Sequence, residues 1–272
     1  MLSVYQTSLI GKNQLTSDVY LFRFRLIEPK ELNFKSGQYM ILNVPKDDGG
    51  VVKRLYSIAS PSWEKTSFEL LVKIVPGGVA STYLKNLAPG DKVIFEGPAG
   101  VFCLKERAHN KVFLVTGTGI APARSIIISN IKYKKTNTTA NENTNHQLPT
   151  LSANKQIFNY YLFWGLPYLK DVFLFDELKK LSQEQANFHF KICLSREESL
   201  DAVKVEDQQF FDRGHVDSVC RNFFQQYNNV TIEQFINNFE FYLCGNREVV
   251  ESLKQYLLNL GVEQENIIFE KF

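Results

Sequence analysis

The feature that most restricts this chain is a change in its pattern of apolar residues near Lys111. Before it, short apolar runs are broken by turn signals. VYLFRFRLI at 19–27 alternates around charged positions, Gly37 precedes QYMILNV, and LYSIA follows the turn Asp47-Asp48-Gly49-Gly50. SFELLVKIV then follows Trp63, and DKVIFEG follows Pro89-Gly90. Strands at that spacing predict an antiparallel barrel or sandwich. Between two of them VASTYLKNL predicts one short helix, stopped by Pro89-Gly90.

After Lys111, KVFLVTG reads as a buried strand, followed by a Gly-rich turn and the helical stretch APARSIIISNIKYKK. The pattern repeats as FNYYLFWG with VFLFDELKKL, FHFKICLS with VDSVCRNFFQQY, and FEFYLCG with REVVESLKQYLLNLG, closing on NIIFEKF. Strand alternating with helix means a parallel, doubly wound sheet. The expectation is a β-barrel domain over residues 1–105 and an α/β domain over 106–272, with the boundary near 103–110. Residues 136–156, rich in Asn and Thr and poor in apolar residues, fit neither pattern. Too little apolar surface is available there to offset the entropy of ordering, so a mobile surface loop is expected.

Composition narrows the function. At 272 residues the chain accommodates two cores, and 44% hydrophobic with 22% charged residues is ordinary for a soluble protein. No apolar run approaches the ~20 residues that span a bilayer. MLSVYQTSLIGKNQ lacks the apolar stretch of a signal peptide, so a cytoplasmic protein is expected. Cys103, Cys193, Cys220 and Cys244 form no C-x-x-C pair and the four histidines no ligand spacing, so no metal is expected. A formal net charge of +2 argues against a nucleic-acid binder but allows one basic face for an acidic partner.

Four segments combine groups suited to chemistry. Arg54-Leu55-Tyr56-Ser57-Ile58-Ala59-Ser60 offers a cation for phosphate, an aromatic face for a ring and a hydroxyl for a ring nitrogen, although alone it is a strand with an exposed Arg. Val75-Pro76-Gly77-Gly78-Val79-Ala80-Ser81-Thr82 opens a helix on a glycine pair, where backbone N–H groups can meet phosphate. Thr116-Gly117-Thr118-Gly119-Ile120-Ala121-Pro122 lies in the first βα turn, with Pro122 suited to a helix's first turn; it is neither G-x-G-x-x-G nor a P-loop. Tyr242-Leu243-Cys244-Gly245-Asn246 ends a strand, which would place Cys244 in the ligand crevice rather than in the core.

The order RLYS, GGVAS, GPAG-x-F, GTGIAP, CGN and a terminal Glu-x-aromatic resembles the ferredoxin–NADP reductase family over nearly the whole chain, the Asn-rich segment apart. The resemblance implies an antiparallel six-stranded FAD-binding barrel joined to an NADP-binding domain, with the flavin between them. It implies that Arg54, Leu55, Tyr56 and Ser57 hold FAD, Arg54 on the pyrophosphate and Tyr56 against the isoalloxazine. Gly78, Val79, Ala80 and Ser81 match the second flavin segment. Thr116, Gly117, Thr118, Gly119 and Pro122 match the loop that meets the nicotinamide dinucleotide, and Cys244 and Gly245 would flank the nicotinamide. Ser57 and Glu270 match the pair at the reactive flavin edge, and Phe272 the terminal aromatic that covers the ring.

Ser195-Arg196 resembles the pair that grips a 2′-phosphate, which points to NADPH. Gly165-Leu166-Pro167-Tyr168 departs from the family pattern and keeps NADH open. With no C-x4-C-x2-C run the electron acceptor is expected to be external: a small acidic carrier, ferredoxin or flavodoxin. A monomer or weak dimer is expected. The alternatives are the reductase component of an oxygenase system, a flavin reductase, and a non-catalytic subunit that keeps the fold.

Overall fold

The computed structural model describes residues 2–46, 48–105, 107, 109–139, 158–228 and 236–272. Strands β1 (Ser3–Gln14), β2 (Val19–Glu28), β3 (Tyr39–Pro45), β4 (Val51–Ser57), β5 (Ser67–Lys73) and β6 (Lys92–Ala99) form one antiparallel sheet in the order β4-β3-β6-β1-β2-β5. Its two outer strands meet: Ile58 bridges Leu70, and the Ala59 N–H donates to the Glu69 carbonyl at 2.8 Å. The sheet therefore curls into a barrel rather than a sandwich. Inside, Phe24 stacks on Phe68 at 5.5 Å, and Phe95 sets its edge against both at 5.0 and 5.1 Å. Such offset and edge-on contacts suit rings whose faces and edges carry opposite partial charge. Helix α1 (Val79–Asn86) sits between β5 and β6 and buries Ala80, Ser81 and Leu84.

β1 is absent from the strand pattern read above, although it is 12 residues long. Its alternation is blurred, because apolar residues lie on both faces and one polar residue lies inside. Tyr5, Thr7 and Leu9 point inward, whereas the apolar Val4 and Ile10 face out. Thr7 becomes acceptable inside because its hydroxyl donates to the Val93 carbonyl at 2.9 Å.

The second sheet is parallel: β7 (Asn110–Thr116), β8 (Tyr160–Leu166), β9 (Phe188–Leu194), β10 (Phe211–Arg213), β11 (Phe239–Gly245) and β12 (Ile267–Lys271), in the order β10-β9-β8-β7-β11-β12. Period two sorts its side chains onto two faces. Phe113 and Val115 pack against α2 (Ile120–Thr139) and α3 (Phe175–Glu184). Val112 and Leu114 pack against α4 (Val216–Asn228) and α5 (Arg247–Asn259). Residues buried on both faces explain the unbroken apolar runs in the sequence. β10, at three residues, is too short to show any period.

The chain steps outward from β7 to β10, then returns to the other side of β7 as β11. The carboxyl ends of β7 and β11 are thus the point where strand order reverses, the preferred ligand crevice of such sheets. The mobile loop expected over 136–156 falls largely outside the described residues; α2 runs to Thr139, so its first four residues are helical.

Candidate active site

The end of the barrel's outer strand β4 meets the end of β12. Ser57 Oγ donates to Glu270 Oε1 at 2.6 Å, across 213 residues of sequence. The β11–β12 register sets Cys244 opposite Glu270 and Gly245 opposite Lys271. One step on, the Phe272 N–H donates to the Gly245 carbonyl at 3.2 Å, so the last residue is docked rather than frayed.

Around this junction opens a cleft of about 740 Å³, within the range of cofactor sites. Arg54, Leu55, Tyr56 and Ser57 line it from β4, and Gly78, Val79, Ala80 and Ser81 from the start of α1. Thr118, Glu270 and Phe272 complete it from the α/β domain. Eleven residues singled out in the sequence thus share one cleft. Ala121, from the quoted βα turn, also lines it, as do Tyr39, Leu71, Lys73 and Lys271, which were not foreseen. Tyr39 is Ser57's register partner across β3 and β4, a pairing that only strand order creates.

The remaining residues lie around the cleft rather than on its lining. Gly119 and Gly245 make the switch point possible: a Cβ on Gly119 would stand 2.4 Å from the Cys244 carbonyl oxygen, and one on Gly245 2.2 Å from Thr116 Oγ1. Gly117 adopts φ +54°, and its carbonyl accepts from Trp164 Nε1 at 2.9 Å, which orients the turn. Pro122 is buried in the first turn of α2. Cys244 corrects the reading from sequence. It is 1% exposed within the core, because every residue of the central strand β11 is buried. Burial holds its thiol well above the ordinary range, with Glu270 adding to the shift.

Ser195 and Arg196 lie apart, beyond the carboxyl end of β9, with their N–H groups bonded to the carbonyls of Leu166 at 3.0 Å and Pro167 at 2.9 Å. The Arg196 side chain is exposed. Arg213 joins it, because its Nε donates to the Glu197 carbonyl at 3.0 Å. No sequence motif marks Arg213; the β9–β10 pairing brings it there.

The cleft's donor set fits a flavin dinucleotide. No side chain caps the N-terminus of α1, and its first turn holds no acidic residue. Its free N–H groups therefore present partial positive charge to the cleft, and the Arg54 cation faces the same space. Two anionic phosphates suit that arrangement. Burial pushes the Tyr56 hydroxyl up to about 12, with Arg54 pulling the other way, so the ring stays neutral and available for stacking. Among the described residues no group of three His, Cys, Asp or Glu is placed to hold a metal ion.

Burial also raises the Glu270 pKa above its ordinary value, and the bond from Ser57 only partly opposes this. The folded form thus keeps the proton to higher pH than the unfolded chain. Its contribution to stability is full below the ordinary carboxylate range, at about pH 4, and is lost as pH rises through the folded value. Glu270→Gln, which mimics the protonated side chain, is expected to remove this loss. Thermal unfolding of the flavin-free protein across the acid range reads it: wild type should fall relative to the variant as pH rises. Parallel curves would mean that this carboxyl titrates alike in both states.

Fold and cleft together define a two-domain α/β and barrel protein, with a cleft that fits a dinucleotide at the domain junction and a second crevice at the switch point of a parallel sheet. The oxidoreductase FAD-binding domain family matches residues 6–103, and the oxidoreductase NAD-binding domain family matches residues 113–255. The chain belongs to this family of FAD- and NAD-binding oxidoreductases.

A component of the Na(+)-translocating NADH-quinone reductase of Methylococcus capsulatus is 29% identical over 240 residues, 86% of this chain and 48% of that protein. The reductase component of propane 2-monooxygenase from Rhodococcus jostii is 29% identical over 260 residues, 95% of this chain and 60% of its own length. The chain therefore spans about half of the first relative and three fifths of the second. The crystal structure of a ferredoxin NADP+ reductase from Neisseria gonorrhoeae, with bound FAD and NADP, shares the fold at a TM-score of 0.76 and 20% identity, covering 98% of each chain. No helix among the described residues is long and apolar enough to cross a membrane.

Proposed function

We propose that the protein carries hydride from NADPH to FAD held in the cleft and passes the electrons singly to an external carrier, a small acidic protein such as ferredoxin or flavodoxin. The observation that carries this reading is the Ser57–Glu270 bond at 2.6 Å. It joins the two domains in the cleft that also holds Arg54, the open end of α1 and Phe272.

FAD, when bound, supplies the chemistry: a ring nitrogen that accepts hydride and a ring that can release single electrons. The residues orient and exclude water. Arg54 and the first N–H groups of α1 hold the diphosphate, with Leu55 and Tyr56 against the ring. The Ser57 hydroxyl orients the reactive edge. Burial raises the Glu270 pKa, which favours its taking up and returning a proton there through Ser57. Cys244, protonated and buried, backs Glu270 from within the sheet and is a neighbour of the reacting edge rather than a nucleophile. Thr116, Gly117, Thr118, Gly119, Pro122 and Gly245 form the crevice for the second dinucleotide. Phe272 covers the ring until nicotinamide displaces it. The domain boundary falls between residues 105 and 106.

Ser195 and Arg196, with Arg213 beside them, are the proposed grip on a 2′-phosphate. Arg196→Ala is then expected to weaken NADPH binding about tenfold, the loss of one charged hydrogen bond, and to leave NADH nearly unchanged. Equal losses for both nucleotides would remove Arg196 from this role. A second reading, the NADH-using reductase component of an oxygenase system, is favoured by the Rhodococcus jostii relative and by the NADH in the name of the Methylococcus capsulatus one.

One preparation tests both. The purified protein is expected to be yellow, or to become so with added FAD, and to bleach faster with NADPH than with NADH. A protein that stays colourless with FAD overturns the flavin reading. Faster bleaching by NADH turns the choice to the second reading, and trials with ferredoxin, flavodoxin and free flavin then sort the acceptor.

A further inference from the structure

The two domains meet along helix α2, and one buried cation occupies the centre of the seam. Arg124 is 8% exposed. Its Nη1 donates to the Ala59 carbonyl at 2.7 Å and to Glu69 Oε2 at 2.9 Å. Its Nε and Nη2 donate to the two carboxylate oxygens of Glu177 at 2.7 and 2.8 Å. Ala59 and Glu69 belong to the barrel, while Glu177 lies in the first turn of α3. The same face of α2 adds two bonds: Ser125 Oγ donates to the Ser60 carbonyl at 2.7 Å, and the Ser62 N–H donates to Ser129 Oγ at 2.9 Å.

Burial alone would lower the pKa of this guanidinium, but Glu177 and Glu69 more than offset that and hold it above its ordinary value. A buried ion pair contributes little net stability, since both charges have left water. A planar fork does, however, accept few arrangements of its partners. Here Arg124 and Glu69 are each close along the chain to a residue that lines the cleft, one on each wall. Arg124 is one helical turn past Ala121, which lines the cleft from the α/β domain. Glu69 is two residues before Leu71, which lines it from the barrel.

We propose that Arg124 is a positioning residue: through Glu69 and Ala59 on one side and Glu177 on the other, it sets the separation of the dinucleotide wall from the flavin wall, and so the distance over which hydride moves. The proposal rests on the function proposed above. Hydride transfer requires reacting atoms ~3–3.5 Å apart, and a displacement of about 1 Å costs on the order of a hundredfold in rate. Arg124→Lys keeps the charge but loses the fork. Glu177→Gln keeps the shape and weakens the clamp from the far side.

The test uses FAD-loaded protein. Stopped-flow bleaching by NADPH and NADH separates the limiting rate of flavin reduction from nucleotide affinity. Amide hydrogen exchange over residues 59–62 and 124–129 reads the seam without turnover. Arg124→Lys is expected to lower the limiting rate about tenfold or more, with nucleotide affinity little changed and exchange across the seam faster. Glu177→Gln should shift both in the same direction by less, and it decides the matter if Arg124→Lys fails to fold or to retain FAD. A limiting rate and exchange equal to wild type in the deciding variant, or a loss confined to nucleotide affinity, overturns the role of Arg124. Wild type bleached by neither nucleotide would instead overturn the function on which the proposal rests.

Discussion

Arg54→Ala is expected to lower FAD affinity about ten- to a hundredfold, the loss of one charged hydrogen bond to a phosphate, worth roughly 1.5–3 kcal/mol. The fold should survive the change. Arg54 is exposed, and its side-chain bond from Nη1 to the Lys53 carbonyl at 2.8 Å aims the guanidinium without supporting the barrel. The opposite side of the proposed phosphate site is backbone, the open end of α1, which no side-chain substitution at position 54 touches. Equilibrium titration of flavin-free protein with FAD, followed by flavin fluorescence, measures the effect. Arg54→Lys should recover part of it, because a point charge remains while the fork is lost. Affinity unchanged in both variants would place the diphosphate elsewhere in the cleft.

Phe272→Ser is expected to tighten binding of the oxidised nicotinamide nucleotide about ten- to a hundredfold. The ring is 65% exposed in the structure, yet its backbone is tied to Gly245 and its side chain lines the cleft. Loaded with flavin, the cleft offers that ring an apolar face to cover. Burying a phenyl side chain is worth roughly 1.5–3 kcal/mol, and nicotinamide must give this up again to reach the same face. With serine in place nothing competes. Turnover is expected to fall as affinity rises, since a nucleotide held too firmly leaves slowly. Difference spectra with oxidised nucleotide, and steady-state turnover with the reduced one, measure the two effects. Unchanged affinity and turnover would mean that Phe272 is not a gate.

Much of this was legible in the sequence because it depends on neighbours along the chain. The shift from alternating runs to strand–helix repeats near Lys111 follows from side-chain period, two for a half-buried strand and 3.6 for a helix. The turns at Gly77 before α1 and at Gly117 before α2, both at positive φ, are local backbone requirements that glycine announces directly. NIIFEKF as a strand belongs to the same class, whereas the approach of Phe272 to the cleft was implied only by resemblance. Where local polarity misleads, the reading fails: β1 hides because it turns Thr7 inward and Val4 and Ile10 outward.

What only the tertiary structure decided concerns pairs that no local pattern links. Ser57 and Glu270 could be set side by side from sequence only through resemblance. Their bond depends on β12 adding to β11 and on the barrel closing at Ile58. Arg124 reads from sequence as one more polar position on a helix, and becomes a buried clamp because Glu69 and Glu177 arrive from two domains. Arg213 reaches the neighbourhood of Arg196 through a three-residue strand. Cys244 shows the limit most plainly. Sequence correctly ends its strand at the crevice, but whether a strand-end side chain faces the crevice or the core depends on pleat and on what packs above it, and here burial won. Turns and periods are set by each residue's own sterics and solubility, whereas contacts between domains exist only once distant strands have chosen their register.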